Sequence, residues 1–216
     1  MKKSLWFIPL AAVAGLTPAG VAQAGEVYFG AGTTGIVLGV GEHVGAHTGV
    51  RAEANALSYS RSVSTTNVDY DGKLKADGVN LMIDCFPVAD VPFRVTVGAV
   101  FGNNRLTAVG KPRNNTFTIN GQTFSAAGES INFTVKQPSV QPYLGIGLGH
   151  LKNKGWAFFA DLGATYGKPK VDFTATPGLV AAATQANIDA ERQDVQSKAN
   201  DYKFYPVIKL GVSYAF

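Results

Sequence analysis

Beyond residue 24, apolar and polar side chains alternate along most of the chain, a period of two that predicts β-strands with one oily face. Seven runs carry it, each bounded by turn-forming residues. The first, Val27 to Val40, is rich in glycine. Gly49 to Ser60 sets Val50, Ala52, Ala54 and Ala56 against Arg51, Glu53 and Asn55. Lys73 to Phe86 sets Val79, Leu81 and Ile83 against Asn80 and Asp84. Phe93 to Leu106 opposes Phe93, Val95, Val97, Ala99 and Phe101 to Arg94, Thr96 and Gly98. The run from about Ser130 to His150 ends with Pro142, Leu144, Ile146 and Leu148 opposite Tyr143, Gly145, Gly147 and Gly149. Trp156 to Thr174 sets Trp156, Phe158, Ala160, Leu162 and Ala164 against Asp161, Gly163 and Thr165. In the last, Phe204 to Phe216, every even position is apolar or aromatic, and Lys209, Gly211, Ser213 and Ala215 lie between them.

The connections fall into two alternating kinds. Those around Glu42 to Thr48, Val88 to Pro92 and Lys152 to Gly155 are short, whereas Ser62 to Gly72, Gly102 to Glu129 and Ala175 to Asp201 are long and polar. That asymmetry is the one an outer-membrane β-barrel shows, with short periplasmic turns and long external loops. The expected fold is therefore all-β, a transmembrane antiparallel up-and-down barrel. Such single-chain barrels have an even number of strands, so eight are expected and one is hidden. Its best candidate lies near Glu26 to Thr34, although Val27 to Val40 is short for two spans of ~9 to 11 residues. Within the loops, Thr116 to Ser125 reads as a hairpin about an Asn120-Gly121 turn. Leu179 to Lys198 reads as a short surface helix.

Composition agrees. The chain has 216 residues, of which 46% are hydrophobic and only 16% charged. No continuous apolar stretch after the amino-terminal segment approaches a spanning helix, so the apolar residues must be spread over alternate positions. Residues 1–24 have the three parts of a secretory signal: Lys2 and Lys3, an apolar run from Leu5 to Leu16, and Ala22-Gln23-Ala24 before Gly25. Cleavage after Ala24 leaves residues 25–216 as the barrel. Losing Lys2 and Lys3 takes the formal charge from +4 to +2, and no nucleic-acid partner is inferred. Cys85, the single cysteine, excludes an intramolecular disulfide and reads as a small apolar filler.

The register of each strand follows from cost. A lysine or arginine facing lipid near the midplane costs ~2 to 4 kcal/mol, so the apolar positions face lipid and Arg51, Glu53, Asp84, Arg94, Asp161 and Lys209 face inward. Three cations and three anions in a narrow lumen are expected to pair and plug it. A conducting or ligand-binding lumen is the alternative. Tyr59, Tyr143, Trp156, Tyr166, Tyr202, Tyr205, Tyr214 and Phe216, near strand ends, suit the membrane interfaces. Gly30 to Gly35 matches G-x-G-x-x-G, but a strand-like segment follows where a phosphate-binding site needs a helix, and no cofactor is expected. His43, His47 and His150 fall in or beside the short turns and read as polar turn residues. No His/Cys cluster has metal-ligand spacing, and no nucleophile pairs with these histidines, so no catalytic residue is assigned.

The closing segment is the most specific. Lys209, Gly211, Tyr214 and Phe216 fall in the order polar, glycine, aromatic, aromatic, which resembles the signal read by the barrel assembly machinery. Together with Gln141 to Gly147, Asp161-Leu162-Gly163, Tyr205-Pro206-Val207 and the final GVSYAF, this resembles small proteobacterial outer-membrane proteins of the opacity-type and OmpA-like barrels. The resemblance implies an outer-membrane barrel without catalytic residues, and the barrel is expected to be a monomer in contact with outer-membrane lipid and lipopolysaccharide. Its role would be structural or surface-interactive through the external loops. A narrow porin and a lipid-modifying or proteolytic barrel enzyme are the other readings. No peptidoglycan-binding segment follows the barrel, so no tethering to the cell wall is expected.

Overall fold

The computed structural model describes residues 25–88, 91–150 and 154–216; the expected signal segment, residues 1–24, lies outside them. Thirteen strands and two helices are described. They are β1 (Gly25–Gly32), β2 (Gly35–His43), β3 (Thr48–Ser64), β4 (Val68–Cys85), β5 (Arg94–Gly102), β6 (Arg105–Pro112), β7 (Thr116–Ile119) and β8 (Gln122–Ser125). There follow β9 (Ile131–Lys136), β10 (Val140–Leu148), β11 (Gly155–Tyr166), β12 (Lys170–Ala175), α1 (Pro177–Ala183), α2 (Gln185–Ala199) and β13 (Phe204–Ala215).

Eight strands close a ring in the order β1-β2-β3-β4-β5-β10-β11-β13, every neighbour antiparallel. The closure is β1 on β13, with Glu26 opposite Ala215 and Gly32 opposite Lys209. The eighth strand is thus found inside the first run. Val27 to Val40 is not one strand but most of a hairpin, turned at Thr33-Thr34 between Gly32 and Gly35. Gly35 has φ +91°, and a Cβ there would strike the carbonyl of Ala56 on the neighbouring strand, so only glycine fits. The turn is pinned from the side, because the Thr33 N–H donates to the Ile208 carbonyl at 3.0 Å.

Apolar side chains point outward around this ring, as a lipid environment requires. Phe29, Ile36, Leu81, Val97, Leu144, Phe158, Leu162 and Leu210 are all exposed. Cys85 shares that outer face and is exposed, which corrects its reading as a filler.

At one end, here the lower, the strands are joined by short turns. At the upper end one side of the barrel stops at the Thr33-Thr34 turn while the other continues upward as a wall. The segment Ser62 to Gly72 is not a loop: β3 and β4 stay paired up to Ser64 and Asp69, leaving a turn of only a few residues. β6 continues β5 along β4 without a change of register, Gly102 lying opposite Gly78 and Arg105 opposite Lys75. β9 likewise continues into β10 past Pro138, which has no N–H to give to a ladder. The wall runs β3-β4-β6-β9-β12.

Its inner side is capped by the β7–β8 hairpin, α1 and α2, around Phe117, Ile119, Phe173, Leu179, Ala183 and Ile188. The hairpin turns at Asn120-Gly121 with φ +49° and +74°, the left-handed pair a two-residue turn of this kind requires. The Asn120 N–H donates to Glu191 on α2 at 2.7 Å, which ties hairpin to helix.

Candidate functional site: the barrel interior

Alternation carries Arg51 and Glu53 on β3, Asp84 on β4, Arg94 on β5, Asp161 on β11 and Lys209 on β13 to the inner face. Each is at most 4% exposed. The two arginines and two aspartates form a closed ring. Arg51 grips Asp84 with two hydrogen bonds, Nε to Oδ2 at 2.5 Å and Nη2 to Oδ1 at 3.0 Å, and reaches Asp161 with Nη1 at 3.5 Å. Arg94 faces Asp84 at 3.5 Å, donates to Asp161, and donates through Nη1 to the Gly149 carbonyl at 3.0 Å. Thr96 supplies Asp84 with a further bond of 2.6 Å. Toward the upper end Lys209 pairs with Glu53, which also accepts from Asn80 at 2.6 Å and from the Tyr28 hydroxyl at 3.1 Å.

Charges removed from water are tolerable only when paired and hydrogen-bonded, and this arrangement satisfies both conditions across five strands. The wall around it is thinned to make room. A Cβ at Gly147 would meet the Asp161 carboxylate and the Arg94 guanidinium, and one at Gly39 would overlap the Tyr28 ring. Beside the ions Met82, Val100, Tyr143 and Val207 pack together as an apolar cluster within the lumen. Tyr143 and Tyr205 therefore leave the interfacial set expected from sequence. They share the faces of Gly145 and Lys209, so their rings turn inward, Tyr143 to within 5.8 Å of the Lys209 ammonium. Trp156, Tyr166, Tyr214 and Phe216 remain on the outside, whereas Tyr59, exposed but opposite Leu74, stands on the inner face of the wall, and Tyr202 borders the cavity beneath α2.

The histidines need the larger correction. His150 is 1% and His43 6% exposed; neither is a solvated turn residue. Gly149 and His150 both have positive φ, +92° and +59°, a reversal that swings the His150 ring under the barrel. There its Nδ1 meets Glu26 at 2.5 Å, its Nε2 faces Arg51 at 3.4 Å, and its carbonyl meets His43 Nε2 at 2.8 Å. Tyr28 and Phe159 pack on the same ring at 4.8 and 4.7 Å between centroids. Both His150 nitrogens are thus engaged, one by Glu26 and the other by Arg51. Only His47 stays in its turn, against the Phe86 carbonyl at 2.8 Å.

In the closing strand the four residues singled out from sequence do different things. Lys209 faces inward. Gly211 has no room for a side chain, because a Cβ there would strike the Phe29 carbonyl and the Phe159 ring. Tyr214 packs against Trp156, the rings tilted at 55° with centroids 5.1 Å apart, on the outside, and Phe216 is 58% exposed.

Neither a protein-family model nor a curated protein matches this chain in sequence. Solved structures do share its shape. CarO of Acinetobacter baumannii superposes with a TM-score of 0.62 at 22% identity, over 90% of this chain and 98% of that one. CarO2 of the same species gives 0.66 at 23% identity, over 90% and 99%. At such identities the likeness concerns the fold, which is that of an outer-membrane β-barrel.

Proposed function

We propose that the chain is an integral protein of the bacterial outer membrane whose barrel is closed to solutes and whose work is done by its external wall and cap. The single observation that carries this reading is the ring of Arg51, Asp84, Arg94 and Asp161, stacked between the Glu26–His150 pair and the Lys209–Glu53 pair. An eight-strand barrel is just wide enough for side chains to fill. A solute crossing it would have to separate ion pairs that have no water to replace their partners. The upper end supports the surface role: α2 roofs an apolar cavity of about 430 Å³ bordered by Leu74, Leu106, Phe133, Val135, Val195 and Tyr202.

Export follows cleavage after Ala24 in this reading, and the assembly machinery takes up the barrel by Lys209, Gly211, Tyr214 and Phe216. The barrel acts as a monomer, without cofactor or catalytic group, and belongs with the opacity-type and OmpA-like barrels it resembles. Reconstitution of the full chain into planar bilayers tests the closure. No steady ion conductance is expected; reproducible open channels would overturn it in favour of a narrow porin.

A further inference from the structure

The outer face of the wall carries a second electrostatic arrangement, unrelated to the lumen. Register places Lys75 on β4 opposite Arg105 on β6, Arg105 opposite Lys136 on β9, and Lys136 opposite Lys170 on β12. Directly opposed residues share a face, so four cations stand in one row across four adjacent strands. Like charges directly opposite destabilise a sheet. Only Lys136 has a carboxylate within ion-pair distance among the described residues, Asp172 at 2.7 Å.

Higher rungs of the same face are built differently. Asp71 lies 3.8 Å from Lys111 and Asp69 3.7 Å from Arg113, so that each cation there has its own anion. Around the row itself the outward residues include Lys73 and Lys168 as further cations and only Asp77 and Asp172 as carboxylates. That is six cations against two carboxylates, an excess of four. The imbalance is confined to one level.

That level is set by the apolar belt. Along each strand the cation follows the last outward apolar or aromatic residue by four positions: Lys75 from Val79, Arg105 from Phe101, Lys136 from Val140, and Lys170 from Tyr166. Four residues span ~13 Å of strand, or about 10 Å along the membrane normal at a tilt of about 40°. Long basic side chains bend toward the polar boundary of a membrane. The row then lies at the headgroups, where multivalent anions are concentrated. We propose that Lys75, Arg105, Lys136 and Lys170 form a docking face for the phosphate groups of a phosphorylated glycolipid in the outer leaflet. The inference rests on the outer-membrane reading and on the wall being external; it does not depend on whether the lumen conducts.

The test uses the full chain folded in detergent micelles and reads retained lipid by native mass spectrometry. Three probes are compared: bis-phosphorylated lipid A, dephosphorylated lipid A and inorganic phosphate. Wild type is expected to retain the phosphorylated form at least tenfold better than the dephosphorylated one. The K75Q/R105Q/K136Q/K170Q variant should lose that preference, while K111Q/R113Q, on the paired rungs, should stay within twofold of wild type. Heat-modifiable migration on gels checks that each variant is folded; if the fourfold variant is not, K75Q/R105Q and K136Q/K170Q carry the comparison. Equal retention by the row variants, or no preference between the two lipids in wild type, overturns the proposal. Binding of inorganic phosphate as tight as that of the lipid would assign the row to a free anion and overturn the lipid source. Channel recordings are a separate measurement, so failure here leaves the closed-barrel reading standing, and the reverse.

Discussion

At the scale of single residues, the Lys209–Glu53 pair shows how tightly the interior is specified. Lys209 is 1% exposed and Glu53 2%, and Glu53 is the acceptor for Lys209, Asn80 and Tyr28 together. Glu53→Gln leaves the ammonium without its counter-charge, and removing one partner of a buried pair costs about 3 to 5 kcal/mol. We expect a loss of that size in urea unfolding of the reconstituted protein. Lys209→Met combined with Glu53→Gln should lose clearly less, since no orphan charge remains. The inward direction of these charges is legible in the sequence, because a charged side chain on an otherwise oily strand is strongly disfavoured on the lipid side. The burial of His150 and His43 is not. They lie where the alternation stops, and the burial of His150 depends on two consecutive positive φ angles at Gly149 and His150. Only the glycine hints at that reversal.

At the scale of elements, what sequence conceals is continuity and its interruption. The β1–β2 hairpin hides inside an apparently single run because its turn is two threonines, residues that also favour strands. A subtler signal is present. The outward positions are odd before the turn, at Val27 and Phe29, and even after it, at Ile36 and Leu38. A two-residue turn shifts the phase of the alternation in this way, whereas a strand preserves it. The converse holds for Ser62 to Gly72, where serines and charges look like a loop but pair as strands above the membrane, in water on their outer face. The external cap is legible in outline, its hairpin from Asn120-Gly121 and its helical part from Leu179 to Lys198; the break into α1 and α2 falls at Thr184, with φ +68°. Leu179, fully buried between the hairpin and the wall, holds this cap. We expect Leu179→Ala to cost the cap about 2 to 5 kcal/mol. Hydrogen exchange should then quicken in β7, β8, α1 and α2 while the barrel amides stay protected.

At the scale of the whole molecule, two polar strata share one barrel and do opposite things. Inside, Arg51, Arg94 and Lys209 each face a buried carboxylate; outside, one rung of the wall gathers cations at the level where the membrane supplies anions. The strata are separable because the barrel is complete without the wall. The external excursions begin and end on hydrogen-bonded neighbours: the Gly102 N–H donates to the Ser139 carbonyl at 2.9 Å, and the Gly167 N–H to the Lys203 carbonyl at 2.8 Å. Short turns joining Gly102 to Ser139 and Gly167 to Lys203 would therefore close the ring with its eight rungs intact, replacing long loops whose closure entropy is only weakly length-dependent. We expect this trimmed chain to insert and to show the heat-modifiable gel migration of a folded barrel. Its bilayer conductance should stay closed, because Arg51, Asp84, Arg94, Asp161, Glu53 and Lys209 all lie below the cut. Channels appearing only after trimming would move the seal from the ionic core to the external cap, and the lumen charges would then have to be read as the lining of a gated path.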